Sequence, residues 1–154
     1  MSLFRNENPI LGAAAKVRSN ELGADVKIIP TEYVSTELVA GSPATGTFFW
    51  VAPYACQVTA VKEIHSVVGG ASAAVKARKI IGDAVAPNAA AGANVKELAT
   101  AAFDLTASAN VLRTATLSAT VTDLQLAKGD RLAYVPSGTL TGLIGYMQIE
   151  LKRI

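Results

Sequence analysis

The stretch Asp123-Leu124-Gln125-Leu126-Ala127-Lys128-Gly129-Asp130-Arg131-Leu132-Ala133-Tyr134 decides the fold class of this chain. Lys128-Gly129-Asp130 is a turn cluster, because glycine takes positive φ without a steric penalty and aspartate can bond its own backbone. Apolar residues alternate on either side, Leu124 and Leu126 before the turn, Leu132 and Tyr134 after it. Such alternation about a glycine turn reads as two antiparallel strands, each with one buried face. The closing segment repeats the pattern: Leu143, Met147, Ile149 and Leu151 share one parity, and Gln148, Glu150 and Lys152 take the other. The C-terminal third is therefore sheet, and it carries no chemistry of its own.

Beyond this stretch, composition sets the bounds. The 154 residues suit one domain able to bury roughly two thirds of its unfolded surface. Hydrophobic residues make up 51% and charged residues 17%, which is apolar for a soluble monomer and points to surface covered by another copy or a partner. Much of that apolar count is alanine, which adds little to a core. Aromatics are sparse at 6%, so the core is expected to be Val, Leu and Ile. The net charge of +2 comes from interspersed signs; without a basic run or a basic-aromatic stripe, no nucleic-acid ligand is expected. Cys56 stands alone, which excludes an internal disulfide, offers no metal-ligand spacing and fits a reducing compartment. No apolar run reaches about 18 residues, so no membrane-spanning helix and no membrane partner is expected. Arg5, Asn6, Glu7 and Asn8 interrupt the N-terminus before a signal-peptide core could form, and synthesis and retention in the cytosol until assembly is the expectation.

Residues 1–25 have no sustained period and read as an arm. Val26–Ile29 is a short strand candidate stopped by Pro30, and Tyr33–Val39 a second, ending at the turn Gly41-Ser42-Pro43. Thr47-Phe48-Phe49-Trp50-Val51 is continuously apolar and closed by Pro53. A run this short reads as a strand covered on both faces, one by the domain and one by an arm or a neighbouring subunit. Cys56–Val68 is the longest strand candidate before the C-terminus. Cys56, Val58, Ala60, Ile64 and Val68 form its apolar parity, and Gln57, Thr59, Glu63 and His65 its polar one. Gly69-Gly70 then turns the chain into Ala73–Ile81, with Val75, Ala77 and Ile81 facing one way and Lys76 and Arg78 the other, a predicted hairpin. Residues 82–93 are a loop of small side chains. Asn94 either caps a short helix to Ala101 or opens an extended segment into Phe103-Asp104-Leu105; the extended reading is preferred. Leu112–Val121, with Ala115, Leu117, Ala119 and Val121 on one parity, is another strand, and Gly142–Lys152 the last. Eight to ten short strands without a defensible helix predict an all-β antiparallel sandwich, jelly-roll-like. Residues 1–45 form its arm and leading strands, and 46–154 the sandwich domain.

Few residues suggest chemistry. His65 as a general base needs a nucleophile and an orienting carboxylate; on the polar parity it reads as a surface side chain. Cys56 shares the parity of Val58 and reads as a small buried hydrophobe, with no cationic neighbour or helix N-terminus to activate it. Gly69-Gly70 and the glycines from Gly138 to Gly145 lack the order of a phosphate loop and read as turn and bulge residues. Asp104, Asp123 and Asp130 lack EF-hand spacing and read as solvated or turn-capping. Phe48-Phe49-Trp50 reads as core or subunit interface in preference to a sugar-stacking platform. No catalytic residue, metal, cofactor or small-molecule substrate is expected.

Residues 46–154 resemble the small jelly-roll decoration or cement proteins of tailed-bacteriophage capsids. The resemblance is carried by Val58-Thr59-Ala60-Val61-Lys62 before Gly69-Gly70, by Phe103-Asp104-Leu105-Thr106-Ala107-Ser108-Ala109-Asn110, by Leu126-Ala127-Lys128-Gly129-Asp130-Arg131-Leu132, and by the terminal Ile149-Glu150-Leu151-Lys152-Arg153-Ile154. It implies a non-enzymatic virion protein on the capsid surface, a homotrimer bridging copies of the major capsid protein. Together with the apolar run it implies subunit contacts through Phe48, Phe49 and Trp50; in the arm, which the resemblance does not cover, the isolated apolar residues Leu3, Phe4, Ile10, Leu11 and Val17 suit docking onto an adjacent subunit or the capsid shell. Two other classes remain open. A carbohydrate- or receptor-binding module of a head fibre or tail would expose its aromatics in a groove. A small enzyme on the same scaffold would join His65 to a carboxylate in a pocket.

Overall fold

A computed structural model describes residues 30–154. The arm over 1–25, its five apolar residues and the strand candidate Val26–Ile29 lie outside the described residues. The rest forms ten strands and one turn of helix: β1 (Thr31–Val39), β2 (Thr47–Val51), β3 (Cys56–Val67), β4 (Ala74–Ile80), β5 (Val95–Glu97), β6 (Phe103–Asp104), β7 (Arg113–Thr114), α1 (Val121–Leu124), β8 (Gln125–Leu126), β9 (Arg131–Ser137) and β10 (Ile144–Arg153).

The strands make two antiparallel sheets. One runs β1-β10-β3-β7, with β8 also on β3; the other runs β2-β9-β4-β5, with β6 also on β4. With β5 and β6, and likewise β7 and β8, taken as interrupted single strands, these are the two four-stranded layers of a jelly roll, the first strand lying beside the last. β1 pairs with β10 along its whole length, from Thr31↔Lys152 to Val39↔Ile144. The core between the layers is aliphatic, as the composition predicts: Val58, Val61, Leu126, Leu132, Met147, Ile149 and Leu151 are all essentially inaccessible.

The alternation about Lys128-Gly129-Asp130 correctly marks buried faces, since Leu124, Leu126, Leu132 and Tyr134 are all buried. The two strands, however, do not pair with each other. β8 bonds to β3 in the first sheet and β9 to β2 and β4 in the second. A sandwich satisfies two one-faced strands equally well across its core as side by side, and periodicity cannot tell the two apart. The turn is held by Ala52, whose N–H donates to Asp130 O and whose carbonyl accepts from Gly129 N–H, both at 2.8 Å. Gly69-Gly70 likewise joins β3 and β4 across the layers, so the predicted hairpin there is a sheet-to-sheet crossing.

Two further expectations change for physical reasons. β3 does not keep one apolar parity: Ala60 opposes Glu150 while Val58 opposes Leu151, leaving Thr59 as an extra residue. Such a bulge reverses the faces of everything beyond it. Cys56 and Val58 point inward before it and Val61, Glu63 and His65 after it, while Ile64 turns outward. The segment 112–121 forms a strand only at Arg113–Thr114, because it spans both layers. Ala115 N–H bonds Val61 O, whereas Thr116 O and Ser118 N–H bond Thr100 and Leu98 across the gap. Residues 94–101 are extended, as preferred, with β5 at their start.

Gly138 closes the turn after β9 with φ +71, and a Cβ there would lie 2.1 Å from the Ser72 carbonyl oxygen. Gly138→Ala is therefore expected to destabilise by about 3 kcal/mol, from left-handed strain plus the backbone collision. Chemical denaturation of the two proteins measures it, and an unchanged midpoint contradicts the packing of this turn against Ser72.

Candidate functional site

The bulge at Thr59 places the chain's most concentrated polar chemistry inside. Glu63 and His65, two apart on β3, share the inward face, and both side chains are fully buried. His65 Nδ1 lies 2.8 Å from Glu63 Oε1, and His65 Nε2 lies 2.9 Å from the Ala107 carbonyl oxygen. Arg113 on β7, paired beside Glu63 in register, reaches in from the edge. Its Nε donates to Glu63 Oε2 at 2.9 Å, its Nη2 to the same oxygen, and its Nη1 to the Asp104 carbonyl. His65 O also accepts the Asn110 N–H at 2.6 Å. Asp104 in turn accepts from Thr106 N–H at 2.9 Å and Thr106 Oγ1 at 2.7 Å. These bonds hold its carboxyl below the usual carboxylate range, with the Arg113 charge adding to them.

His65 is thus not the surface side chain its parity suggested. It does meet the carboxylate that an acid–base site would need, but its second nitrogen is bonded to a main-chain carbonyl at 2.9 Å. A base must reach its substrate's proton through that nitrogen. In this arrangement the network instead ties the loop between β6 and β7 to the sheet. One signal in the sequence marked it: two ionisable residues at i and i+2 on a strand occupy one face, whichever face that is.

Two other buried cations secure loops in the same way. Arg78, expected to face outward, is buried. Its guanidinium bonds Glu97 Oε1 through Nη2 at 2.6 Å and the carbonyls of Pro87 and Ala89 through Nη1. Lys79 donates to the carbonyls of Thr122 and Gln125 at 2.8 and 2.7 Å, pinning α1. Burial lowers its pKa, against a raising effect of Asp130 and Asp123. The three aspartates considered for calcium have separate employments. Asp130 caps the Ala127 N–H at 2.9 Å, Asp123 accepts from Ser118 Oγ at 3.3 Å, and Asp104 holds Thr106. Cys56 is buried as expected, and burial, then Glu32 and Asp130, push its thiol up to about 11.

The aromatic run lies on β2, at the end of the second sheet, bonded on one side to β9. A register shift between Phe48 and Trp50 marks a bulge there. Phe49 and Trp50 are half-buried and pack on the core, Phe49 beside Tyr134 with ring centroids 6.2 Å apart. Phe48 and Val51 are exposed, with Arg131 lying 4.5 Å over the Phe48 ring. The strand is therefore covered on the core side only, among the described residues.

No family model and no curated protein matches the sequence. Among solved structures, the chain is similar to one described as the structure of infectious bursal disease virus, Gx strain. The match has 12% identity and a TM-score of 0.44, over 82% of this chain and 32% of that one. The chain thus spans about a third of that structure's length.

Glu63→Gln is expected to cost about 3 kcal/mol, because it leaves the Arg113 and His65 contacts uncompensated inside the sheet. His65→Ala is expected to cost about 2 kcal/mol by stripping partners from Glu63 and the Ala107 carbonyl. Urea titrations check both, and a shift under about 0.5 kcal/mol in either would contradict the network. Cys56, kept protonated and enclosed, is expected to resist a thiol-specific disulfide reagent at pH 8 in the native protein and to react stoichiometrically once unfolded. Rapid native labelling would show it accessible.

Proposed function

We propose that this chain is a non-enzymatic virion structural protein that binds and stabilises a tailed-bacteriophage capsid shell. In this reading it is made in the host cytoplasm and works as a homotrimer on the capsid surface, with the major capsid protein as partner. One observation carries the reading. Among the described residues β2 is an edge strand bonded on one side only, five residues long and apolar throughout except for Thr47, with Phe48 and Val51 turned outward. An unpaired apolar edge is a template for another chain, and a protein that keeps one has a use for it. The jelly-roll architecture and the resemblance of residues 46–154 to decoration proteins are consistent with that use. The sugar-binding alternative has less support: Arg131 lies over the Phe48 ring, and Phe49 and Trp50 are committed to the core.

In sedimentation at micromolar concentration the protein is expected to run as a trimer and to co-pellet with undecorated capsid shells. Phe48→Asp combined with Val51→Asp is expected to yield monomer and to weaken shell binding more than about tenfold, a change of about 1.4 kcal/mol or more. Circular dichroism is expected to stay unchanged. Full shell binding by a folded double variant would refute the role of this edge. Absence of binding by the parent protein would refute the capsid partner itself.

A further inference from the structure

A second apolar surface lies on the outer face of the other sheet, and the virion reading does not use it. The registers align its members. Val39 opposes Ile144, which opposes Val67. One row along, Tyr146 opposes Ile64, and Leu112 continues that row beyond β7. All six are exposed, with relative accessibilities from 38% for Ile64 to 61% for Leu112. Between Tyr146, Ile64 and Leu112 the surface dips into a groove of about 270 Å³ whose polar rim includes Ser35, Lys62 and Gln148. The outward turn of Ile64 is a product of the bulge at Thr59, so the face is built by the same irregularity that buries Glu63 and His65. Scattered apolar residues on a surface need no explanation; six in two adjacent rows do.

The chain itself holds a candidate occupant. Twenty-nine residues precede Pro30, and they enter the structure at the head of β1, the edge strand of this very sheet. They carry Leu3, Phe4, Ile10, Leu11 and Val17. The patch lies toward the far end of β1, a strand of nine residues, or about 30 Å away. The twenty residues from Ile10 to Ile29 can span about 65 Å when extended, so the reach is ample. A tethered segment meets its own face at an effective concentration in the millimolar range, which a free partner at micromolar concentration does not match.

We propose that in the free protein residues 1–29 lie across this outer face of their own chain, with Ile10 and Leu11 as anchors in the groove beside Tyr146. This inference stands apart from the capsid reading and survives its failure, since it concerns the isolated chain.

Photo-crosslinking of the full chain tests it. p-Benzoylphenylalanine replaces Tyr146, an exposed aromatic, and a control carries the same probe at Phe48 on the other sheet. After irradiation and digestion, the Tyr146 probe is expected to link to peptides from residues 1–29 within one chain, with a yield unchanged across a hundredfold range of protein concentration. Ile10→Asp with Leu11→Asp is expected to cut that yield at least fivefold, with an unchanged circular dichroism spectrum. The Phe48 probe is expected to give no such link. Links found only between two chains, at whatever concentration, would overturn the proposal. So would a Tyr146 probe that fails to reach residues 1–29, or one indifferent to the aspartate pair.

Discussion

The extra residue at Thr59 is the constraint on which most of this structure depends. Pairing of β3 with β10 is the central seam of the first sheet, and it changes phase between Ala60 and Val58. Without that change, Ile64 would be in the core and Glu63 and His65 in solvent. With it, a carboxylate and an imidazole enter a place where an unpaired charge costs several kcal/mol, so the surrounding structure must supply partners. Arg113 and the Ala107 carbonyl are those partners, supplied by the β6–β7 connection and β7 itself, a stretch that the Leu105 backbone and the Asn110 N–H also tie to the fold. The burial of two polar side chains and the path of residues 104–113 are thus one event.

The same device recurs wherever a strand is short. β5 is three residues long, and β6, β7 and β8 are two each. Ladders of that length contribute few hydrogen bonds and cannot hold register alone. Arg78 bonds the 82–93 loop and Glu97 of β5, Lys79 binds the carbonyls around α1 and β8, and Arg113 binds β6. Each is a cation on or beside a longer strand that donates to main-chain carbonyls of a short or irregular segment. Such bonds to carbonyls are stronger than neutral ones and are worth more inside the protein than in water. The alanine-rich composition makes this necessary, because Ala89 to Ala93 offer almost no area to bury.

That division explains what was legible in the sequence. β10 holds a strict period, and Leu132 and Tyr134 of β9 keep theirs although Ala133 between them is buried too, so Leu132, Tyr134, Met147, Ile149 and Leu151 were read to the correct face. Reading failed at β3, where one inserted residue erases the meaning of parity, and at the turns Gly69-Gly70 and Lys128-Gly129-Asp130. There a local signal for chain reversal is silent on whether the next strand joins the same sheet or the opposite one. It also failed for Arg78, whose burial depends on Glu97 and on the carbonyls of Pro87 and Ala89. Polar residues read as solvated unless a partner is known, and here two of the partners are backbone carbonyls, which no side-chain pattern encodes.

The topology also gives the molecule two unlike flanks. On one, the interrupted strands β5 to β8 form the sheet edges, and the chain closes over them. Leu98, Ala99 and Thr100 bond to Ser118, Leu117 and Thr116, joining the layers. Short, irregular and covered edges are how β proteins avoid uncontrolled pairing. On the other flank the edges are β1 and β2, nine and five residues long and each bonded on one side only among the described residues. Residues 1–29, with Leu3, Phe4, Ile10, Leu11 and Val17, join the described chain just before β1. A jelly roll protected on one side and open on the other has a direction in which further strands can add, and assembly along that direction leaves the loop-anchoring network untouched.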